Sequence, residues 1–281
     1  MTNIFNVLLL GGTSDAIKLV KSIASLSHNH NIHLIYSIAG TVRKPKLDCT
    51  VIEGGFSQYA DQYTPSSDDI QGQYTFGSDS QRGLAYFITQ HQIHCILDCT
   101  HPYATQISHN AFEVSQALGV RYLGYHRPNW SASDQDRWIP AKNWPHAKEL
   151  LSQFKRPFVT IGQSAVRDTE SISENQFWLI RSAIAEPMVT ARFKIVRDIG
   201  PFVLKNETAL MQQHKIDVLV CKNSGGKAVD TKLQAARQLN IPVILLERPD
   251  YRPEIKQHFR DNLEALIEKI KQEVYRDTYD R

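Results

Sequence analysis

The sequence predicts an α/β protein: two Rossmann-like lobes built on mainly parallel sheets, with a cleft between them. Three observations carry this. Short apolar runs alternate with helix-period segments along almost the whole chain, the pattern of parallel strands covered on both faces. Several of those runs end in corners rich in glycine and small polar residues, where open parallel sheets gather ligands. A segment dense in proline and tryptophan, 128–145, then divides the alternation in two.

The first lobe spans 1–127. "NVLLL" (Asn6–Leu10) is a strand ended by Gly11 and Gly12, and Ile17, Val20, Ile23 and Ala24 mark one face of the next helix. "IHLIYSIAG" and "CTVIEGG" are the second and third strands. A polar stretch, 57–81, is expected to be a long surface insertion. "GLAYFITQHQI" is a helix, "CILDCT" a strand and "ATQISHNAFEVSQALG" a helix closed by Gly119. "VRYLGYHR" completes the lobe as a strand.

Residues 128–145 hold Pro128, Pro140, Pro145, Trp130, Trp138 and Trp144, and are expected to be a connection. The second lobe, 146–281, resumes the alternation. "FVTIG", "FWLIRSA", "IDVLVCKNSGG" and "IPVILLERP" are strands. A helix is expected to start between Pro201 and Asn206 after a loop, another over "TKLQAARQLN", and a last amphipathic one over about 253–275.

Bulk properties narrow the function. The 281 residues are 42% hydrophobic, enough for a real core, and the net charge of +3 is too weak to argue for nucleic acid. Cys49, Cys95, Cys99 and Cys221 fit reduced, buried thiols. The first apolar run leads straight into glycines, not a signal cleavage site, and no run nears the ~20 residues of a membrane span. A soluble, cytoplasmic protein is expected.

The corners carry the chemistry. Gly11, Gly12, Thr13 and Ser14 place small residues at a helix start, where backbone N–H groups and the helix dipole favour a phosphate; the same residues also suit an ordinary capped βα turn. Thr13 and Ala16 break the dinucleotide glycine fingerprint. The second strand ends in Ser37, Gly40, Arg43 and Lys44 rather than the acid of an NAD site, which suits a 2′-phosphate and so NADPH over NADH. At the fourth strand's end stand Asp98, Thr100, His101, Pro102 and Tyr103. One reading makes Thr100 an N-cap, Pro102 a rigid first helical turn and Asp98 an acceptor for loop amides. The other lays a flat redox ring against the corner. A lone histidine with no partner at ligand spacing gives no metal site. Lys222, Asn223, Ser224, Gly225 and Gly226 form a cationic, amide-rich corner suited to a carboxylate or phosphate but without P-loop order. Gly162, Gln163 and Ser164 end another strand, with Arg181 and Arg192 as sources of positive charge.

Taken together, "VLLLGGTSDA", "SIAGTVRKP", "VIEGGF", "LDCTHPYATQISHNA", "GVRYLGYHRPNW", "GPF", "DVLVCKNSGG" and "TKLQAARQLNIPVILLERP" resemble, in order, the precorrin-6A reductases of cobalamin biosynthesis. The resemblance implies two Rossmann-like lobes and NADPH-dependent reduction of precorrin-6A, or its cobalt-loaded form, to the 6B level. It implies Gly11, Gly12, Thr13 and Ser14 on the pyrophosphate; Ser37, Gly40 and Arg43 toward the adenosine; and Thr100, His101, Pro102 and Tyr103 near the nicotinamide or substrate. Lys222, Asn223, Ser224, Gly225 and Gly226 would hold the tetrapyrrole substrate, and Asp98 and Tyr103 are the candidate catalytic residues. No nucleic-acid or membrane partner is implied; transient contact with neighbouring pathway enzymes is expected. The alternatives are another NADP-linked reductase on a related fold, or a non-catalytic nucleotide- or tetrapyrrole-binding protein.

Overall fold

The run Phe5–Leu10 is buried almost throughout, with Val7, Leu8 and Leu9 inaccessible, as a central parallel strand covered on both faces requires. The computed structural model describes residues 4–27, 31–40, 45–64, 76–226 and 230–279. In chain order, this strand (β1, Phe5–Leu10) leads to α1 (Ser14–Ser27), β2 (Ile32–Ile38), β3 (Thr50–Glu53), a 3-10 segment (Phe56–Gln62), α2 (Asp79–Gln90), β4 (Cys95–Asp98), α3 (Thr105–Ala117) and β5 (Arg121–Tyr125). Then come β6 (Trp138–Ala141), α4 (Trp144–Leu151), β7 (Pro157–Val159), α5 (Gln163–Arg167), β8 (Trp178–Ser182), β9 (Met188–Val189), β10 (Phe193–Arg197), α6 (Leu204–Gln213), β11 (Val218–Lys222), α7 (Thr231–Gln238) and β12 (Val243–Leu246). The chain closes with α8 (Pro253–Lys256), β13 (Phe259–Arg260) and α9 (Leu263–Tyr279).

Two compact units result, Met1–Arg127 with Pro249–Arg281, and Pro128–Arg248. This corrects the expected second lobe of 146–281. The last 33 residues return to the first unit, where β13 pairs with β5 and α9 packs Leu266, Ile270 and Val274 beside Leu19 and Ile23 of α1. The expected single helix over 253–275 is broken into α8, β13 and α9.

The first unit's sheet runs β3-β2-β1-β4-β5-β13 with every pair parallel. That is the strand order of doubly wound dinucleotide-binding sheets, and its direction of winding reverses between β1 and β4. Alternate residues of β1 serve opposite faces. Leu8 and Leu10 join Leu84, Ile88 and Phe112 on one side; Val7 and Leu9 join Leu19, Val20 and Ile23 on the other.

The stretch 57–81 is not simply a surface insertion. Phe56, Ala60 and Phe76 are buried, Tyr59 stacks near Tyr86, and a Cβ on Gly83 of α2 would stand 1.8 Å from the carbonyl oxygen of Phe56. Close packing of backbone against α2 thus holds its first part. Residues 79–81 already belong to α2, which starts under a Ser78–Gln81 capping box. Residues 65–75 lie outside the described residues.

The second unit's sheet runs β6-β12-β11-β7-β8-β10-β9, parallel except for the β9 edge. Its winding reverses between β7 and β11. The expected connection 128–145 contributes the edge strand β6, which pairs with β12, and Trp144 opens α4 under an Asn143 cap. β10 stands where a loop is expected ahead of α6. No helix among the described residues is long and apolar enough to cross a membrane.

Candidate functional site

At the reversal point of the first sheet, the ends of β1 and β4 are tied together. Cys99 N–H donates to the Leu10 carbonyl at 3.0 Å. The Thr13 hydroxyl donates to the Cys99 carbonyl at 2.8 Å and accepts from Ala16 N–H at 3.1 Å. Thr13 therefore caps α1 and clamps the two strand ends at once. Asp15 in the first turn is buried and pairs with Arg127 at 3.1 Å and Lys18 at 3.1 Å.

The glycine pair has two distinct reasons. A Cβ on Gly11 would lie 2.2 Å from Cζ of Tyr36, whose ring is 1% exposed. Gly12 has φ of 100°, in the left-handed region, and open space where its Cβ would stand. The Gly12 N–H donates to the Tyr36 hydroxyl at 2.9 Å. That amide is used by the turn itself, whereas Ser14, at the start of α1, is exposed. Tyr36 was not singled out in the sequence; the signal was a hydroxyl in an apolar strand, which needs a partner once buried.

Ser37 is buried and its carbonyl accepts from Gly11 N–H at 2.8 Å. Gly40 is exposed, with open space about it. Arg43 and Lys44 lie outside the described residues. Gly54, φ 96°, donates its N–H to the Ile38 carbonyl at 2.9 Å, fixing the β2 and β3 corners to each other.

Asp98 is 1% exposed and takes three protein donors. Oδ1 accepts from Thr100 N–H at 3.0 Å and from the Thr100 hydroxyl at 2.7 Å, and Oδ2 accepts from the Tyr122 hydroxyl at 2.6 Å. Burial first, then the adjacent Asp98 carboxylate, push the Tyr122 phenol well above its ordinary range. This geometry suits Asp98 to positioning the corner; its oxygens are already engaged within the protein. Tyr122, like Tyr36, is a hydroxyl in an apolar strand whose partner appears only in the fold.

The expected capping pattern is also corrected. The Thr100 hydroxyl serves Asp98 and lies 3.4 Å from Ser108 Oγ, so it does not cap α3, which begins at Thr105 with no side-chain cap on Ala104. His101 to Ala104 form a tight turn, closed by Ala104 N–H on the His101 carbonyl at 2.7 Å. Pro102 is buried and its carbonyl accepts from Tyr251 at 3.5 Å. His101 and Tyr103 are half-buried with ring centres 5.6 Å apart, and Tyr103 N–H approaches His101 Nδ1 at 3.3 Å.

The second unit uses a similar clamp: the Thr160 hydroxyl donates to the Val220 carbonyl at 2.9 Å, joining the ends of β7 and β11. Lys222 ends β11, half-buried, with its amine pKa lowered by burial. Asn223 Oδ1 accepts from Trp130 N–H at 2.9 Å, and its carbonyl accepts from Arg248 Nε at 2.7 Å. Ser224 and Gly226 are buried. Gly225 has φ of 69°, and a Cβ there would stand 2.0 Å from the Pro128 carbonyl oxygen. Much of this corner anchors the segments where the chain enters and leaves the unit. Gly162 also sits in the left-handed region, and Gln163 Nε2 donates to Ser182 Oγ at 3.2 Å. Arg181 and Arg192 are not spare charges: Arg181 forms a buried two-bond pair with Glu207 at 3.0 and 2.7 Å, and Arg192 donates to the Ile172 carbonyl at 2.8 Å. Among the described residues no group of three His, Cys, Asp or Glu side chains is placed to hold a metal ion.

Strand order and corner geometry define a doubly wound α/β protein of two units. The comparisons narrow the class. The family model for the precorrin-6x reductase CbiJ/CobK matches residues 57–271. The precorrin-6A reductase of Rhodococcus erythropolis is 35% identical over 88% of this chain and 90% of its own length. The cobalt-precorrin-6A reductase of Salmonella typhimurium is 24% identical over 87% of this chain and 88% of its own. A solved structure of the CobK precorrin-6A reductase superposes with a TM-score of 0.78 at 27% identity, covering 96% of this chain and 97% of the other. The chain belongs to the precorrin-6A reductase family, and is thereby an oxidoreductase of cobalamin biosynthesis.

Proposed function

We propose that this protein uses NADPH to reduce a double bond of precorrin-6A, or of its cobalt-containing form, to the 6B level. The observation that carries the reading is the Thr13–Cys99 clamp at the reversal point of a β3-β2-β1-β4-β5-β13 sheet, with an open, left-handed Gly12 beside a helix start. The family membership supports a nicotinamide-linked reductase of this pathway.

The residues fit such a cofactor. The start of α1 at Thr13 and Ser14 holds the pyrophosphate, and Gly11 and Gly12 let it approach the backbone closely. Gly40 faces the adenosine end, with Ser37 shaping that corner from within the strand, and Arg43, outside the described residues, is the proposed partner of the 2′-phosphate. NADPH, when bound, supplies the hydride. Thr100, His101 and Pro102 make a stiff wall for its reactive end, and Asp98 holds that wall through Thr100. Orientation is the chief demand of such a step, since reacting atoms need to come within about 3–3.5 Å. Tyr103 is the half-buried hydroxyl in this turn able to deliver a proton. Lys222 receives a carboxylate arm of the substrate in the second unit.

Anaerobic incubation of the pure protein with NADPH and precorrin-6A, read by absorbance and mass, tests the reading. A product heavier by two hydrogens is expected; an unchanged macrocycle with NADPH bound overturns it. Arg43→Ala is expected to weaken NADPH far more than NADH, and an unchanged cofactor preference removes Arg43 from the 2′-phosphate.

A further inference from the structure

Seven large apolar side chains stand exposed among the described residues, and five of them fall between 184 and 203. Ile184, Ile199 and Val203 are 43%, 45% and 59% exposed. They are not scattered. Ile184 follows β8; Ile199 and Val203 follow β10, parallel to it, with Ser182 opposite Arg197 at the strand ends. All three therefore belong to the carboxyl edge of the second sheet. Met188 and Val189 sit on the edge strand β9 instead.

The loops that carry the three are laced together. Asp198 N–H donates to the Ser182 carbonyl at 3.1 Å. Ser182 Oγ accepts from Ile184 N–H at 3.3 Å, Ala185 N–H at 3.1 Å and Gln163 Nε2 at 3.2 Å. Beneath them Arg181, held by Glu207, stacks under the Phe202 ring at 4.1 Å. The result is a supported aliphatic rim beginning beside the Gly162–Gln163 corner. Lys222 ends β11 at the same edge, three strand positions from β10, roughly 14 Å at about 4.8 Å per spacing. That span is on the scale of a four-ring macrocycle.

An apolar rim at the ligand-gathering edge of a parallel sheet, with a cation along that edge, is complementary to a flat apolar body fringed with acids. We propose that Ile184, Ile199 and Val203 seat the apolar face of an acid-fringed tetrapyrrole while Lys222 pairs with one of its carboxylates. This rests on the substrate class proposed above and adds the residues that recognise it.

The test compares wild type with Ile184→Ser/Ile199→Ser/Val203→Ser. All three sites are exposed, so thermal unfolding is expected to be unchanged. Precorrin-6A is titrated by absorbance without reductant, and NADPH separately by fluorescence. The expected result is a macrocycle Kd raised about ten-fold or more, roughly 1.4 kcal/mol, with NADPH affinity within about two-fold. The single variant Val203→Ser, the most exposed position, is expected to raise that Kd by a smaller factor and serves if the triple variant is unstable. An unchanged macrocycle Kd in the variant, with a wild type that turns the substrate over, overturns the rim and leaves the activity standing. A wild type that binds NADPH but no macrocycle overturns both. Loss of self-association in the variant, with macrocycle binding intact, assigns the rim to a second copy of the chain and overturns the proposal.

Discussion

The Tyr122 hydroxyl and Asp98 Oδ2 lie 2.6 Å apart, completing a set of three donors around a carboxylate at the end of β4. The bond joins two neighbouring parallel strands exactly where the His101–Tyr103 turn begins. Removing the carboxylate in Asp98→Ala strands buried donors and is expected to cost about 2–4 kcal/mol in urea unfolding. Asp98→Asn keeps an oxygen for Thr100 and lets the Tyr122 hydroxyl accept instead, so it is expected to lose less than half of that. If Asp98 positions the turn, Asp98→Asn lowers kcat while NADPH affinity holds; equal loss of both counts against that role.

Gly11 and Tyr36 form a second dependent pair. A Cβ at position 11 meets a buried ring at 2.2 Å, and Tyr36 cannot swing away. Gly11→Ala is expected to cost about 1–3 kcal/mol and to displace the hydroxyl that holds Gly12. NADPH binding, followed by fluorescence, is expected to fall with it. Gly11→Ala/Tyr36→Ala is expected to be more stable than the sum of its two single variants predicts; strict additivity would show that the contact is not the cause.

The thiols should be nearly inert. Burial pushes Cys95 and Cys99 up to about 12 and Cys221 up to about 11; Cys49, half-buried, is raised less. Labelling with a thiol reagent at pH 8 is expected to reach Cys49 at most, and all four only after denaturation. The same shifts set an alkaline limit. Between about pH 9 and 11 the unfolded chain releases these protons while the fold retains them, so stability falls as pH rises, by about 1.4 kcal/mol per pH unit for each such thiol. Flat stability over that interval would contradict the burial of these groups.

Arg181 and Glu207 are a buried ion pair with two hydrogen bonds. Glu207→Ala leaves a buried guanidinium uncompensated and is expected to cost about 3–5 kcal/mol. Arg181→Met/Glu207→Leu removes both charges and is expected to cost less than either single truncation. A double variant as unstable as the sum of the singles would show that packing around Phe202, rather than charge, dominates.

Some of this is legible in the sequence alone. The alternation of apolar runs with helix-period segments marks parallel strands because only strands buried on both faces can be apolar along their whole length. Glycine–glycine after "NVLLL" marks a turn because the chain there needs a left-handed residue, which Gly12 supplies. Gly119 closes α3 for the same reason, with φ of 64°. The motif residues around Thr100 and Lys222 were likewise visible as strand-end corners.

What the sequence by itself determined is thus local: where strands stop, where glycine is required, and which polar residues stand at strand ends. Tertiary structure alone decided the rest. Tyr36, Tyr122 and Arg181 acquire their partners from residues 24, 24 and 26 positions away. The final segment joins the first unit because β5 has an open edge and α1 an uncovered apolar stripe, and neither vacancy is written in the segment that fills it. Short-range periodicity encodes which face of an element is apolar; the choice of what covers that face is a competition among distant surfaces, settled only when the chain is folded.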